Sequence, residues 1–177
     1  MNATELTLDP LAVWIPAAWL ATLLLHAGLV KLLDRSMFVQ HLGAYRVPDA
    51  LITPLSGVLP LAEIGFGLLL LSPWREVGAA GASALLLLYA ASMAWHLKAG
   101  RRLDCGCGGE PLPLSWALVL RNLALTLLCL PASASLVPRE MQIADYGVTL
   151  GAVLLGSLLW AAFHQVLRQT RRPHPLY

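Results

Sequence analysis

Two cysteines one residue apart, Cys105 and Cys107, sit in the segment RRLDCGCGGEP between long apolar runs. A thiol reacts as its thiolate, so water access and nearby positive charge raise its reactivity, whereas apolar burial suppresses it. Arg101 and Arg102 precede the pair, Asp104 adjoins it, and Gly106, Gly108 and Gly109 leave both sulfurs unshielded and let the backbone bend. A bond between Cys105 and Cys107 would close a small, strained ring, and strained bridges are readily reduced. The spacing therefore suits disulfide exchange, with Arg101, Arg102 and Asp104 activating or orienting the thiols. A metal site and two inert cysteines in a turn are the competing readings. Metal binding would draw on Asp104 and His96, a set incomplete by the usual zinc spacings, so no metal is expected. Cys129 lies about 20 residues, or ~30 Å of helical rise, beyond Cys107 and is expected to be a packed, inert thiol.

The elements that carry this loop are apolar. Of 177 residues, 58% are hydrophobic and 12% charged, roughly half the charged fraction of an ordinary soluble domain. A net charge of +2, with no basic stripe interleaved with aromatics, argues against nucleic acid as a partner. Five apolar runs are long enough to cross the ~30 Å core of a bilayer: residues 11–33, 51–71, 77–97, 114–130 and 147–167. The first has no Lys or Arg before it and no small-residue cleavage pattern, so it is expected to be retained and not removed as a signal peptide. The expectation is an all-α polytopic membrane helix bundle, with residues 1–177 forming a single integral membrane domain in the cell inner membrane.

Lys and Arg in alternate loops set the orientation. Lys31, Arg35, Arg46, Lys98, Arg101, Arg102, Arg168, Arg171 and Arg172 fall on one side, against Arg75 and Arg139 on the other. This places the N-terminus outside, the C-terminus in the cytoplasm, and the cysteine loop at the cytoplasmic face.

Ionisable groups inside a span cost roughly 2.5 to 3.5 kcal/mol at its centre and face protein or water instead of lipid. His26, Glu63, Arg121 and Asn122 are the candidates. Counting ~1.5 Å per residue from the run ends puts His26 and Arg121 about 10 Å above the inner boundary and Glu63 nearer the middle. A Glu63–Arg121 ion pair is expected, with His26 bonded to a neighbouring helix and Tyr89 and Ser92 completing a polar layer. Lys31, at the inner end of the first run, is explained by snorkelling. Trp14, Trp74 and Trp116 fall near run ends, as interfacial tryptophans do.

Several local signatures occur together: GLVKLLD closing the first run, YRVP before the second, PLAEIGFGLLL within it, the RRLDCGCGG loop, and Trp116, Arg121 and Asn122 in the fourth run. In these the chain resembles the methylamine utilisation protein MauE family, grouped with DoxX-like redox-associated membrane proteins. The fifth run matches only in being apolar. The family's loop is closer to DCGCFG, so Gly108 stands where an aromatic is usual. The resemblance implies a role in processing, transport or folding of the disulfide-rich small (beta) subunit of methylamine dehydrogenase, alongside a periplasmic thioredoxin-like protein. That client folds outside, whereas the charge count puts the thiols inside. Reducing equivalents could pass outward from a cytosolic donor, or the loop could re-enter the membrane and be reached from outside. Two other functions share the same residues: a transporter or membrane chaperone in which the charges line a path, and a quinone-linked thiol oxidase, for which no sequence feature is specific to a quinone.

Overall fold

The computed structural model describes residues 7–101, 103 and 113–169, without the side chains of 167–169. Helix α1, Pro10–Leu33, starts where Pro10 needs no N–H partner and where the Asp9 carboxylate accepts from Leu11 N at 2.9 Å. It ends at Asp34, whose side chain accepts from Met37 N at 3.1 Å and so caps a short second helix, α2, Arg35–Ala44. At ten residues, or about 15 Å, α2 is too short to span. It buries Phe38 and Leu42. The remaining helices are α3 (Asp49–Leu70), α4 (Arg75–Lys98), α5 (Trp116–Ser133) and α6 (Ile143–Gln169).

Five of these helices, all but α2, are long and apolar enough to cross a membrane, and the chain is an all-α polytopic membrane bundle. Helix α1 is its axis, packed on α3, α5 and α6, while α4 packs on α3 and α5. Lipid tails are as apolar as leucine, so what brings spanning helices together is close backbone approach at small residues. Ala17, Ala21, Ala79, Ala82 and Ala132 fill one buried cluster. At Gly28 a Cβ would stand 2.7 Å from the Pro60 carbonyl, and at Gly67 one would stand 3.1 Å from Leu25, so α1 and α3 touch at both levels. Helix α6 has no fully buried residue in its described length and lies on the outside of α1.

At the end of the bundle where α1 starts, β1 (Thr7–Leu8) pairs in parallel with β2 (Ser135–Leu136). Arg139 clamps this end, bonding Asp9 at 3.2 Å and Asp145 at 2.8 Å, and the Arg75 guanidinium donates to the Ala134 carbonyl. The opposite end carries α2 and the connection from α4 to α5. Several helix boundaries depart by a few residues from those read in the apolar pattern. Helix α5 begins at Trp116 because Ser115 before it is extended (φ −151°, ψ 157°), and Leu114 N donates to Leu103 O at 2.7 Å. Helix α6 begins at Ile143, where Asp145 in its first turn accepts from Gln142 N at 2.8 Å and is held by Arg139.

Candidate functional site

Gly28 and Lys31 share a face of α1, one turn apart, and the close approach at Gly28 sets Lys31 against Glu63 of α3. Both are almost completely buried, at 5% and 1% exposure, and form an ion pair through Glu63 Oε1. Tyr89 of α4 donates its hydroxyl to the same oxygen at 2.8 Å. The ammonium also lies 5.0 Å from the Tyr89 ring centre and 5.6 Å from that of Phe38 on α2, a favourable arrangement for a cation. Four helices thus meet at one charge pair. Glu63 Oε2 is buried and has no hydrogen-bond donor among the described residues.

A second cluster joins α5 to α6. The Arg121 guanidinium bonds His164 Nε2 at 2.9 Å and Asn122 Oδ1 at 3.3 Å, and it lies 4.9 Å from the Trp160 ring centre. His164 Nδ1 faces the Trp160 carbonyl at 2.9 Å. Since arginine only donates, Nε2 must accept and the ring proton belongs on Nδ1, which makes this histidine neutral. Asn122 is buried and directs its amide to Met93 Sδ at 3.8 Å.

Both clusters border one cavity of about 290 Å³, close to the lower end, about 300 Å³, of sites that take small molecules. Its walls are mostly leucine and aromatic, with Lys31, Glu63, Tyr89, Ser92, Arg121 and Asn122 as the principal polar groups. Helix α2 contributes Phe38, His41 and Leu42 to the wall, and Tyr45, just past its end, adds to it. Leu88, more than half exposed, also lines it, so the cavity reaches the lipid-facing surface beside α4.

The described ends of the connection from α4 to α5, Leu103 and Leu114, lie nearby. Leu103 packs against the buried cluster of Ala90, Met93, Leu114, Leu118 and Val119, and its carbonyl accepts from Leu114 N. Met93 belongs both to this cluster and to the cavity wall. Arg101 faces His96 Nδ1 at 3.1 Å, and the His96 ring stacks edge-on against Tyr45 at 4.8 Å. Cys105, Cys107, Arg102 and Asp104 lie outside the described residues.

Three expectations are corrected. Glu63 pairs with Lys31 and not with Arg121, which bonds His164 and Asn122 instead. Lys31 does not snorkel to water; it is buried with its partner. His26 joins no polar layer: it faces outward from α1 and makes no hydrogen bond among the described residues. Tyr89 and Ser92 do reach the polar cavity. Cys129 is 4% exposed and points its thiol at Leu125 O, 3.6 Å away. Residues that sequence reasoning misses are Lys31 as an ion-pair partner and His164. The spacing of Trp160 and His164, four apart on the fifth apolar run, is the available signal for the latter.

The fold and site define a multi-pass membrane protein with an ion pair buried beside a lipid-accessible cavity. A family model described as methylamine utilisation protein MauE matches residues 9–136, and the chain belongs to that family, which serves methylamine utilisation. Methylamine utilization protein MauE of Paracoccus denitrificans is 35% identical over 159 residues, covering 85% of this chain and 86% of its own. The protein of the same name from Methylophilus methylotrophus is 31% identical over 163 residues, 87% and 85% of the two chains. That from Paracoccus versutus is 35% identical over 154 residues, 82% and 83%. No solved structure matches the chain.

Proposed function

We propose that this protein assists maturation of the methylamine dehydrogenase small subunit by thiol–disulfide exchange at Cys105 and Cys107, in the inner membrane, together with a periplasmic thioredoxin-like protein. The observation that carries this reading is the contact between the residues on either side of the cysteine segment. The bond from Leu114 to Leu103 holds together, on the Met93 cluster, the described residues that flank the cysteine segment, and Met93 also lines the cavity. Arg101, two residues before Leu103, adds a positive charge ahead of the thiols, which favours a thiolate. The proposed orientation keeps the N-terminus outside and the C-terminus in the cytoplasm. Burial of Lys31 against Glu63 removes one residue from the positive side of the count, and the remaining loop charges still favour it.

In cells grown on methylamine as sole amine source, Cys105→Ser with Cys107→Ser should insert normally while the disulfides of the small subunit fail to mature on a non-reducing gel. Cys107→Ser alone should accumulate a mixed disulfide, because the remaining thiolate has no neighbour to resolve it. Cys129→Ser should mature the subunit as wild type does, since its hydroxyl can keep the bond to Leu125 O. Normal maturation in the double variant would leave the transport or chaperone reading in front.

A further inference from the structure

We infer that the cavity between α1, α3, α4 and α5 is a binding site for a lipid-soluble quinone and its quinol, with Glu63 Oε2 accepting a hydrogen bond from the quinol hydroxyl. Two observations set the ligand's chemistry. The walls are mostly apolar, with Phe38, Tyr89 and Trp160 presenting aromatic surface, as a flat ring with a hydrocarbon tail requires. The polar side is uneven: Lys31 and Tyr89 both bond Oε1, and Oε2, fully buried, has no donor among the described residues. A buried acceptor left without a donor is costly, so the occupant must bring a hydrogen.

That requirement separates the candidates. A fatty-acid anion offers acceptors only, leaves Oε2 unmet and adds repulsion to the carboxylate, and its protonated form brings one donor but no ring to lie against Phe38, Tyr89 and Trp160. One water molecule could supply the donor, but its share of volume is about 30 Å³ and it needs two to four polar partners, so it would not fill this apolar space. A quinol offers hydroxyl donors for Oε2. Its oxidised form offers carbonyls for the Asn122 amide or the Arg121 guanidinium. Leu88 at the exposed edge gives a lipid-borne ligand a lateral way in. A quinone becomes a quinol by taking two electrons and two protons, and a dithiol becomes a disulfide by releasing the same number. The site therefore matches the proposed thiol chemistry in stoichiometry, while binding itself does not rest on that reading.

The test uses the full chain in a neutral detergent, carrying Cys105→Ser and Cys107→Ser so that no loop thiol reacts with the probe. A short-tailed benzoquinone is titrated while tryptophan emission is followed, and the corresponding quinol and a saturated fatty acid are then used as competitors. Saturable quenching that depends on Trp160, and that Ser92→Phe abolishes, is expected. Ala27→Leu is the second cavity-filling variant should Ser92→Phe not fold. The quinol should compete about tenfold more tightly than the quinone, the worth of one hydrogen bond to a charged acceptor. Glu63→Gln, which puts an amide at that corner, should erase or reverse this preference. A merely structural glutamate would not move that ratio. Quenching that never saturates, equal competition by the fatty acid, or an unchanged quinol preference in Glu63→Gln would each overturn the assignment.

Discussion

Lys31→Met and Glu63→Gln should be unequal, although each breaks the same ion pair. In Glu63→Gln the buried Lys31 ammonium loses its counter-charge but keeps a carbonyl acceptor at the position of Oε1 and the Tyr89 and Phe38 rings at 5.0 and 5.6 Å, so the loss should be about 1 to 2 kcal/mol. Lys31→Met would leave the Glu63 carboxylate at 1% exposure, with the Tyr89 hydroxyl as its only donor among the described residues. Holding such a charge inside a span costs about 2.5 to 3.5 kcal/mol, and removing one partner of a buried pair about 3 to 5 kcal/mol. The loss for Lys31→Met should therefore be about 3 kcal/mol, the value at which those two ranges overlap. The double variant, with no charge left, should fall short of the sum by about 1 to 2 kcal/mol, a typical coupling for residues in contact. The assay is reversible unfolding in mixed micelles of increasing denaturing detergent, followed by tryptophan emission. Glu63→Gln with Arg121→Gln is the comparison cycle and should be nearer additivity, because Glu63 is held by Lys31 and Tyr89 while Arg121 bonds His164 and Asn122. Equal losses for the two single variants, or stronger coupling of Glu63 to Arg121 than to Lys31, would refute the reasoning.

Two further outcomes follow from the packing and the clamp. Gly28→Leu should cost about 1 to 3 kcal/mol by the same assay, the range for overpacking, because its Cβ would meet Pro60 O at 2.7 Å and Ile64 Cγ1 at 2.8 Å; Gly43→Ala, with nothing within 4 Å, should be neutral. At the other end, the Leu11 N–H and then the Arg139 guanidinium hold the Asp9 carboxyl below its ordinary value of 3.8. The clamp's contribution is thus fully present above that value and lost as pH falls through the lower folded one. Protection of the Val137 amide, which bonds Leu8 O at 2.9 Å, should fall in that acid window, and Arg139→Gln should weaken the dependence while the Leu11 bond keeps the rest.

The spanning helices are legible in the sequence because crossing a bilayer imposes a length and composition that few other structures share. What the apolar pattern does not reveal is α2. Its residues RSMFVQHLGA form no long run, yet Asp34 three residues ahead of Met37 is an N-cap spacing, and Phe38 and Leu42, four apart, mark one face. Those signals together describe the helix that gives the cavity its inner wall. The cysteine pair and the surrounding arginines are equally plain in the sequence, but they carry a proposal about chemistry and not a geometry.

Residue counting misassigns the ion pair for a reason that has physical content. Reckoning depth from the end of each apolar run assumes that every run meets the membrane boundary at its first residue. Helix α3 does not pass the end of α1 at its own start. Arg35, just beyond α1, bonds Ser56 Oγ at 3.0 Å and the Thr53 carbonyl at 3.4 Å, so the first two turns of α3 run alongside α2. Measured from Ser56, Glu63 stands only seven residues up, about 10 Å, within reach of a lysine four residues above Arg35. The same correction turns Lys31 from a surface charge into half of a buried pair. It also leaves Arg121 to bond His164, which ties the otherwise peripheral α6 to the bundle. A short interfacial helix thus decides which intramembrane charges meet, and with them where the cavity receives its only carboxylate among the described wall residues.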